Sequence, residues 1–384
     1  MTAKPETDVL IVGGGIMGSS CGYWISKGRH SVSLIDRGDL PNPLSQSGDH
    51  LKTLRLNFGG DPFYTELASK SRALWLELNA QWSEKLFEQT GVLEMISGGG
   101  KKISQACEAV EERHLKAVRM DKKEISRNYP TLKLSGISCG VLYPEAGLIW
   151  ASRAVIALSS MAQKQGLKIH PRTGAVSLLK EKGAVAGVRD EKGRVFKAGS
   201  YVFALGPWTQ QLLGIKFPVK VTRQPQLYVR PPANSGRYRM DHFPVTIYPK
   251  GFYVYPLHIR GFLKIVDHEK GPSLQPRQME GAAVKGFEAA LQKRGRVFLK
   301  KFIPDLAGFR ESEATPGFYE STRDGDFILD RLPGTSNAFV ISGLADYGLQ
   351  FAPLIGKAVA AMILGGKPDW NLHRFRLGRF SYGR

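Results

Sequence analysis

Three glycines, Gly13, Gly15 and Gly18, follow a short apolar run in a G-x-G-x-x-G spacing, and an acid, Asp36, closes a second such run. That order suits a dinucleotide. The first glycine turns the chain out of a strand, and the second keeps a Cβ away from a pyrophosphate. The third lets helix and strand pack closely, while the helix N-terminus offers unpaired N–H groups to phosphate. Asp36, about 20 residues on, is placed to accept hydrogen bonds from an adenosine ribose and disfavours a 2′-phosphate, hence NADP. The motif does not separate NAD from FAD. Two cations further along have types that suit chemistry. Arg55 carries a planar fork that pairs with a carboxylate through two parallel hydrogen bonds. Lys264 lies in the otherwise apolar segment 262–266, where a buried charge needs a partner. The plainer alternatives are a surface arginine and a lysine on the solvent face of a sheet.

The elements that must position these groups follow from hydrophobic patterning. Residues 8–12 and 31–35 are predicted as buried strands with a helix over 19–27 between them. A polar loop spans 45–50, and apolar residues at helical spacing predict a long helix over 64–89. Strands are expected at 91–96 and 135–143, a helix at 105–118, a loop at 147–150 and a helix at 152–165. The apolar run 201–205 ends on Gly206 and Trp208, a second strand-to-glycine turn ahead of a helix over 209–213. Alternating segments between 218 and 267 predict an antiparallel sheet. Helices at 279–293 and 296–302, a last buried strand at 337–342 and a last helix at 353–364 complete the chain. Nucleotide-type strands at both ends imply one discontinuous domain, residues 1–85, 147–215 and 322–384. It is interrupted by a β-rich substrate domain, residues 86–146 and 216–321. The fold class is α/β (α+β).

With 384 residues, 42% hydrophobic and 23% charged, the chain has ample core for this plan. No charged-then-apolar leader and no long apolar run is present, so neither a signal peptide nor a membrane span is expected. The three cysteines, Cys21, Cys107 and Cys139, lack metal-site or C-x-x-C spacing and suit a reducing compartment, with the cytoplasm as default. No metal is expected. The 54 basic less 34 acidic side chains give +20, a field that attracts anionic substrates, anionic lipid or nucleic acid. The basic residues are dispersed and no nucleic-acid-reading motif accompanies them, so nucleic acid is not expected. A solvated basic surface is the plain reading, and weak contact with an anionic membrane is its alternative.

The N-terminal motif, the 205–208 turn, the segment 253–268, Gly317 to Tyr319 and Gly343 to Phe351 together resemble the FAD-dependent D-amino-acid oxidase superfamily, in its monomeric sarcosine oxidase and N-methyltryptophan oxidase branch. The resemblance covers nearly the whole chain. It implies a Rossmann-like FAD domain, a substrate domain with an antiparallel sheet, and a monomer. It also implies oxidation of the C–N bond of an amino acid or amine to an imine, with O2 reduced to hydrogen peroxide. Arg55 falls where relatives hold the substrate carboxylate, and Lys264 where a lysine beside flavin N5 promotes reaction with oxygen. Tyr253, His268 and Tyr319 match pocket positions, and Lys52 replaces an arginine near the flavin. The resemblance places Gly13, Gly15, Ile16, Met17, Gly18, Asp36 and Arg37 along the FAD. Ser47, Gly48, Lys52, Val176, Gly206, Trp208, Gly317, Gly343, Leu344, Gly348, Leu349 and Gln350 follow further along it. Two departures stand out. Gly317 replaces the cysteine that bonds to flavin in sarcosine oxidases, so FAD is expected without a covalent link. Gln350 replaces a lysine that contacts the substrate carboxylate, and Asp346 adds an acid to the same loop. A dehydrogenase of the same fold passing electrons to a quinone or protein, and a non-catalytic flavin-binding protein, are the competing readings.

Overall fold

A computed structural model describes the chain except for residues 1–5, 100–114, 216–217, 225, 232–234, 250, 269–270, 276–284, 309–311, 316 and 381–384. The expected α/β class is present. Strand β1 (Thr7–Val12) lies inside a six-stranded sheet, parallel to β2 (Val32–Ile35) on one side and to the strand Ala198–Phe203 on the other. Lys168–His170 and Ala338–Ser342 extend the sheet in parallel, and Ile328–Arg331 closes it as an antiparallel edge. Val9 to Val12 are buried on both faces, which is why this strand is a continuous apolar run rather than an alternating one. Helix α1 (Ile16–Ser26) connects β1 to β2, and all of it but Trp24 is buried. The glycine turn therefore sits at the carboxyl end of β1, between neighbours that diverge in chain order. Doubly wound sheets leave a ligand crevice at that place.

The second large sheet has eight strands, with Val92–Ile96, Cys139–Tyr143, Gln226–Val229, Phe252–Val254 and Leu263–Asp267 among them. It is antiparallel as expected, save that Val245–Ile247 runs parallel to Val92–Ile96. Between the two sheets β3 (Leu51–Leu54) pairs with Gly147–Trp150, which also pairs with Phe87–Glu88. Asp49, just before β3, and Leu51 O at its start meet Lys264 of the eight-stranded sheet.

Several local expectations change. The helix expected over 64–89 is Pro62–Asn79. Asn79 stops it, because its side chain accepts from the N–H groups of Leu86 and Phe87 and donates to Phe87 O, which turns the chain into a strand. The 147–150 loop is a strand, since all four of its residues are buried and its backbone needs ladder partners. The two helices expected near 279–293 and 296–302 are, as far as described, one helix, Lys285–Phe302. Gly295 does not break it; a Cβ there would lie 2.6 Å from Leu227 Cδ2, so the glycine admits close packing on the sheet. Most of the helix expected over 105–118 lies outside the described residues, and Val118 begins a strand.

Candidate active site

The turn after β1 is built as its glycines require. Gly13 has φ +104°, and a Cβ there would lie 2.3 Å from Ala204 O. A Cβ on Gly18 would lie 1.8 Å from Gly13 O, so helix and strand touch through backbone alone. Gly15 caps α1 without a side chain of its own; Ser47 Oγ instead accepts from Ile16 N–H at 3.0 Å. Asp36 accepts from Gly14 N–H at 2.6 Å and Gly38 N–H at 2.7 Å, which fixes its carboxylate beside the turn.

From this turn a cleft, partly open to solvent, reaches Lys52, Tyr319 and Asp346. Of the residues expected along a cofactor, Gly13, Gly15, Ile16, Met17, Asp36, Arg37, Ser47, Lys52, Val176, Gly206, Trp208, Leu344, Gly348 and Leu349 line it. Gly18, Gly48, Gly317, Gly343 and Gln350 do not, and serve the packing around it. Tyr319 and Asp346 also line the cleft near Lys52. A Cβ on Gly317 would lie 2.3 Å from Gln224 O, so this position has no room for a side chain in the present backbone.

At the Lys52 end a buried ion cluster joins three segments. Lys264 is 1% exposed, which excludes the solvent-face alternative. Its Nζ contacts the Asp49 carboxylate and donates to Leu51 O at 2.5 Å. Asp49 also holds Lys52 Nζ at 3.1 Å and accepts from Tyr228 OH at 2.9 Å and His50 N–H at 2.6 Å. Burial alone would raise the Asp49 carboxyl, but the two ammonium groups and these hydrogen bonds hold it well below the usual carboxylate range. Burial pushes the Lys264 ammonium down to about 7, against the pull of Asp49 and with the added push of Lys52.

Beyond Asp346 stands a second group. The Arg55 guanidinium lies over the Phe58 ring at 4.5 Å and the Tyr347 ring at 6.0 Å. Among the described residues no carboxylate oxygen comes within 4.0 Å of it. Burial works against its charge, yet Tyr253, Asp346, Glu94 and Tyr347 together raise its pKa. Glu94 is itself raised by burial, although Arg55 and Asn57 oppose the shift. Gln350 is fully engaged with the Arg55 backbone: its Oε1 accepts from Arg55 N–H at 3.1 Å and its Nε2 donates to Arg55 O at 3.4 Å. Its own carbonyl accepts from Trp75 Nε1 at 2.8 Å and from Ser71 Oγ. Gln350 thus positions Arg55, and its amide is not turned toward a ligand. His268 and Tyr253 have ring centroids 4.0 Å apart, and Tyr319 stacks on His268 at 5.8 Å. His268 Nδ1 faces Asp346 Oδ2 at 3.6 Å. Burial raises Tyr253 to about 12.

Comparison with known proteins accounts for this arrangement. A family model described as FAD dependent oxidoreductase matches residues 8–362. The chain belongs to that family. An N-methyl-L-tryptophan oxidase of Salmonella arizonae is 26% identical over 97% of this chain and 99% of its own length. A monomeric sarcosine oxidase of a Bacillus species is 26% identical over 97% and 96%. These are the relatives of the branch named from the motifs. Among solved structures, L-proline dehydrogenase from P. horikoshii superposes with a TM-score of 0.85 at 20% identity, over 99% of each chain. Glycine oxidase from Geobacillus kaustophilus does so at 0.80 and 21%, over 97% of this chain and 99% of its own. The FAD-dependent oxidoreductase fits its cofactor on structural grounds too: a Cβ-free turn at a helix N-terminus, a fixed acid and a long cleft ending at cations.

Sequence reasoning missed three acids. Asp49 lies in a loop rich in turn formers, and only its adjacency to Gly48 marks it. Glu320 follows the noted Tyr319; its carboxyl accepts from Ser342 Oγ at 2.8 Å and Gly343 N–H at 2.9 Å. Burial lifts it to about 7. Glu94 interrupts an apolar strand, the same signal that flagged Lys264. No group of three or more metal-ligating acids, histidines or cysteines occurs among the described residues. None of the described helices is long and apolar enough to cross a membrane.

Proposed function

We propose that this flavoenzyme oxidises the C–N bond of a small amine bearing a carboxylate, an amino acid or its N-alkyl derivative, to an imine, with O2 reduced to hydrogen peroxide. One observation carries the reading. Arg55 is a half-buried guanidinium beside the Phe58 and Tyr347 rings, with no carboxylate oxygen within 4.0 Å among the described residues. Asp346, Glu94 and the tyrosines Tyr253 and Tyr347 keep it charged, and a fork that makes no close carboxylate pair within the protein is the right shape for a substrate carboxylate. The relatives named for N-methyl-L-tryptophan and sarcosine act on compounds of this class.

Bound FAD supplies the two-electron acceptor for the C–N oxidation. The chain's own residues orient and shield. Arg55, with its backbone held by Gln350, fixes the carboxylate and so the register of the amine. Tyr319 walls the cleft, with Tyr253 packed on His268 beside it, and Lys264 supplies a buried cation that favours negative charge developing on oxygen. We infer that FAD is held without a covalent bond: Cys21 and Cys139 are buried elsewhere and Gly317 leaves no room for a side chain. Cys107 lies outside the described residues. We assign the nucleotide to the six-stranded sheet and its helices and the substrate to the eight-stranded sheet, and propose the domain limits read from the sequence as their bounds.

A second reading, a dehydrogenase that passes electrons to a quinone or protein, draws on one feature: Lys264 already spends donors on Asp49 and Leu51 O. Anaerobic mixing with a panel of N-methyl, cyclic and primary amino acids separates the two. Bleaching of the flavin by one compound, with rapid recovery in air and peroxide formation, upholds the oxidase. Slow recovery in air transfers the assignment to the dehydrogenase. Arg55→Met should raise the apparent KM of the responding compound roughly 30-fold or more; an unchanged KM removes Arg55 from the carboxylate role.

A further inference from the structure

His268 poses a question that the carboxylate site leaves open. Its Nε2 is buried and has no hydrogen-bond partner among the described residues. An orphaned buried nitrogen in a folded protein calls for an explanation. Its other ring nitrogen faces Asp346 Oδ2 at 3.6 Å, a separation common in pairs that tighten when a ligand arrives. The geometry points to Asp346 as a positioning residue: facing Nδ1, it fixes the imidazole so that Nε2 offers a lone pair to an N–H of the substrate amine. The amine rests on the function proposed above; the pairing of Asp346 with His268 does not.

Two further observations support this. The charged groups around the ring favour a neutral imidazole. Burial pushes His268 down to about 4, Asp346 opposes, and Arg55, Lys52 and Lys264 push the same way as burial. Tyr253 and Tyr319 complete its surroundings with uncharged rings. A neutral ring has one donor and one acceptor, and a carboxylate beside Nδ1 draws the proton there, which leaves Nε2 bare. The chain also adopts a strained conformation to place the acid. Ala345 has φ +50°, the left-handed region that non-glycine residues rarely occupy. Its N–H is tied to Glu320 O at 2.8 Å. Strain of this kind persists where the surrounding structure enforces it, commonly at binding sites.

The consequence is selectivity for nitrogen that carries hydrogen. The test is ¹⁵N NMR of full-length holoenzyme labelled at histidine, with His268 assigned by its loss in His268→Gln. The expected spectrum shows a protonated Nδ1 and a bare Nε2 from pH 5 to 8. Asp346→Ala converts this to a mixture of tautomers while Asp346→Asn retains part of the bias. A protonated Nε2 in the resting enzyme, or a ring indifferent to Asp346→Ala, overturns the proposal. The ligand arm compares sarcosine with methoxyacetate, which keeps the carboxylate and shape but has an ether oxygen in place of the N–H. Without oxygen, the apparent Kd from the concentration dependence of flavin bleaching by sarcosine should be about 10- to 100-fold below the Kd of methoxyacetate read from its perturbation of the oxidised flavin, a preference lost in Asp346→Ala with methoxyacetate binding retained. Equal affinities overturn the N–H contact. If neither compound perturbs the flavin, the carboxylate-amine reading fails and takes the ligand half of the proposal with it.

Discussion

Removal of the Asp49 carboxylate should expose how the buried cluster is balanced. Asp49→Asn keeps the volume but leaves Lys264, 1% exposed, and Lys52, 7% exposed, facing a neutral amide. Breaking a buried pair by deleting one member costs about 3–5 kcal/mol, because the remaining charge is stranded. At about 2.1 cal/mol/K of unfolding entropy per residue, that is a fall in Tm of about 4–6 °C for a chain of this length. The loss is pH-dependent with a definite sign. Lys264 in the native protein titrates at about 7 rather than 10.5, so below pH 7 it carries its proton beside Asp49. The variant has lost the group that raises this pKa, so its Lys264 stays neutral to lower pH while the unfolded chain remains protonated. The deficit should therefore widen as pH falls from 7 toward 5, by at most about 1.4 kcal/mol per unit. Asp49 itself adds nothing to that slope, since its folded pKa is depressed and its contribution is lost only in stronger acid. Thermal unfolding of wild type and Asp49→Asn between pH 5 and 8, each repeated in a Lys264→Met background, measures this. In Lys264→Met the Asp49→Asn deficit should shrink and flatten with pH. Additive losses in the two backgrounds, or a deficit independent of pH, would refute the coupling.

Other perturbations have equally definite outcomes. Glu320→Gln should flatten a pH dependence: because burial raises the folded Glu320 pKa to about 7, its stabilisation is full below the unfolded value and lost as pH rises through 7. Wild-type stability should accordingly drop by roughly 2–4 kcal/mol between pH 4.5 and 8 relative to the variant, by thermal unfolding. Gly317→Cys should lower stability by about 1–3 kcal/mol, since its Cβ meets Gln224 O, and should leave the flavin extractable by acid. Appearance of covalently retained flavin in that variant would overturn the packing argument. Ala345→Gly should raise stability by about 1 kcal/mol through relief of the left-handed conformation, as read by Tm.

The nucleotide half of this molecule was legible because its information is local. Gly13, Gly15, Gly18 and Asp36 sit within one βαβ unit, where each glycine answers a steric demand made by residues nearby in the chain or on the adjacent strand. Lys264 and Arg55 were legible as residue types out of place, but their partners were not. Asp49 lies 215 positions from Lys264, and Gln350 lies 295 from Arg55. Such pairs exist only once β3 has paired with Gly147–Trp150 and the eight-stranded sheet has set its register. Gln350 shows the same limit. A glutamine at a position where relatives carry lysine looks like a weakened carboxylate clamp, whereas a side chain that satisfies both Arg55 N–H and Arg55 O is a backbone brace. On the function proposed above, the clamp rests on Arg55 alone, and Asp346 is the second determinant of what the pocket accepts. On the same proposed function, a matched substrate has one carboxylate for Arg55 and a nitrogen toward Asp346 and His268. On that reading a second carboxylate would meet Asp346, whose carboxyl is held below its ordinary range, and be rejected by charge.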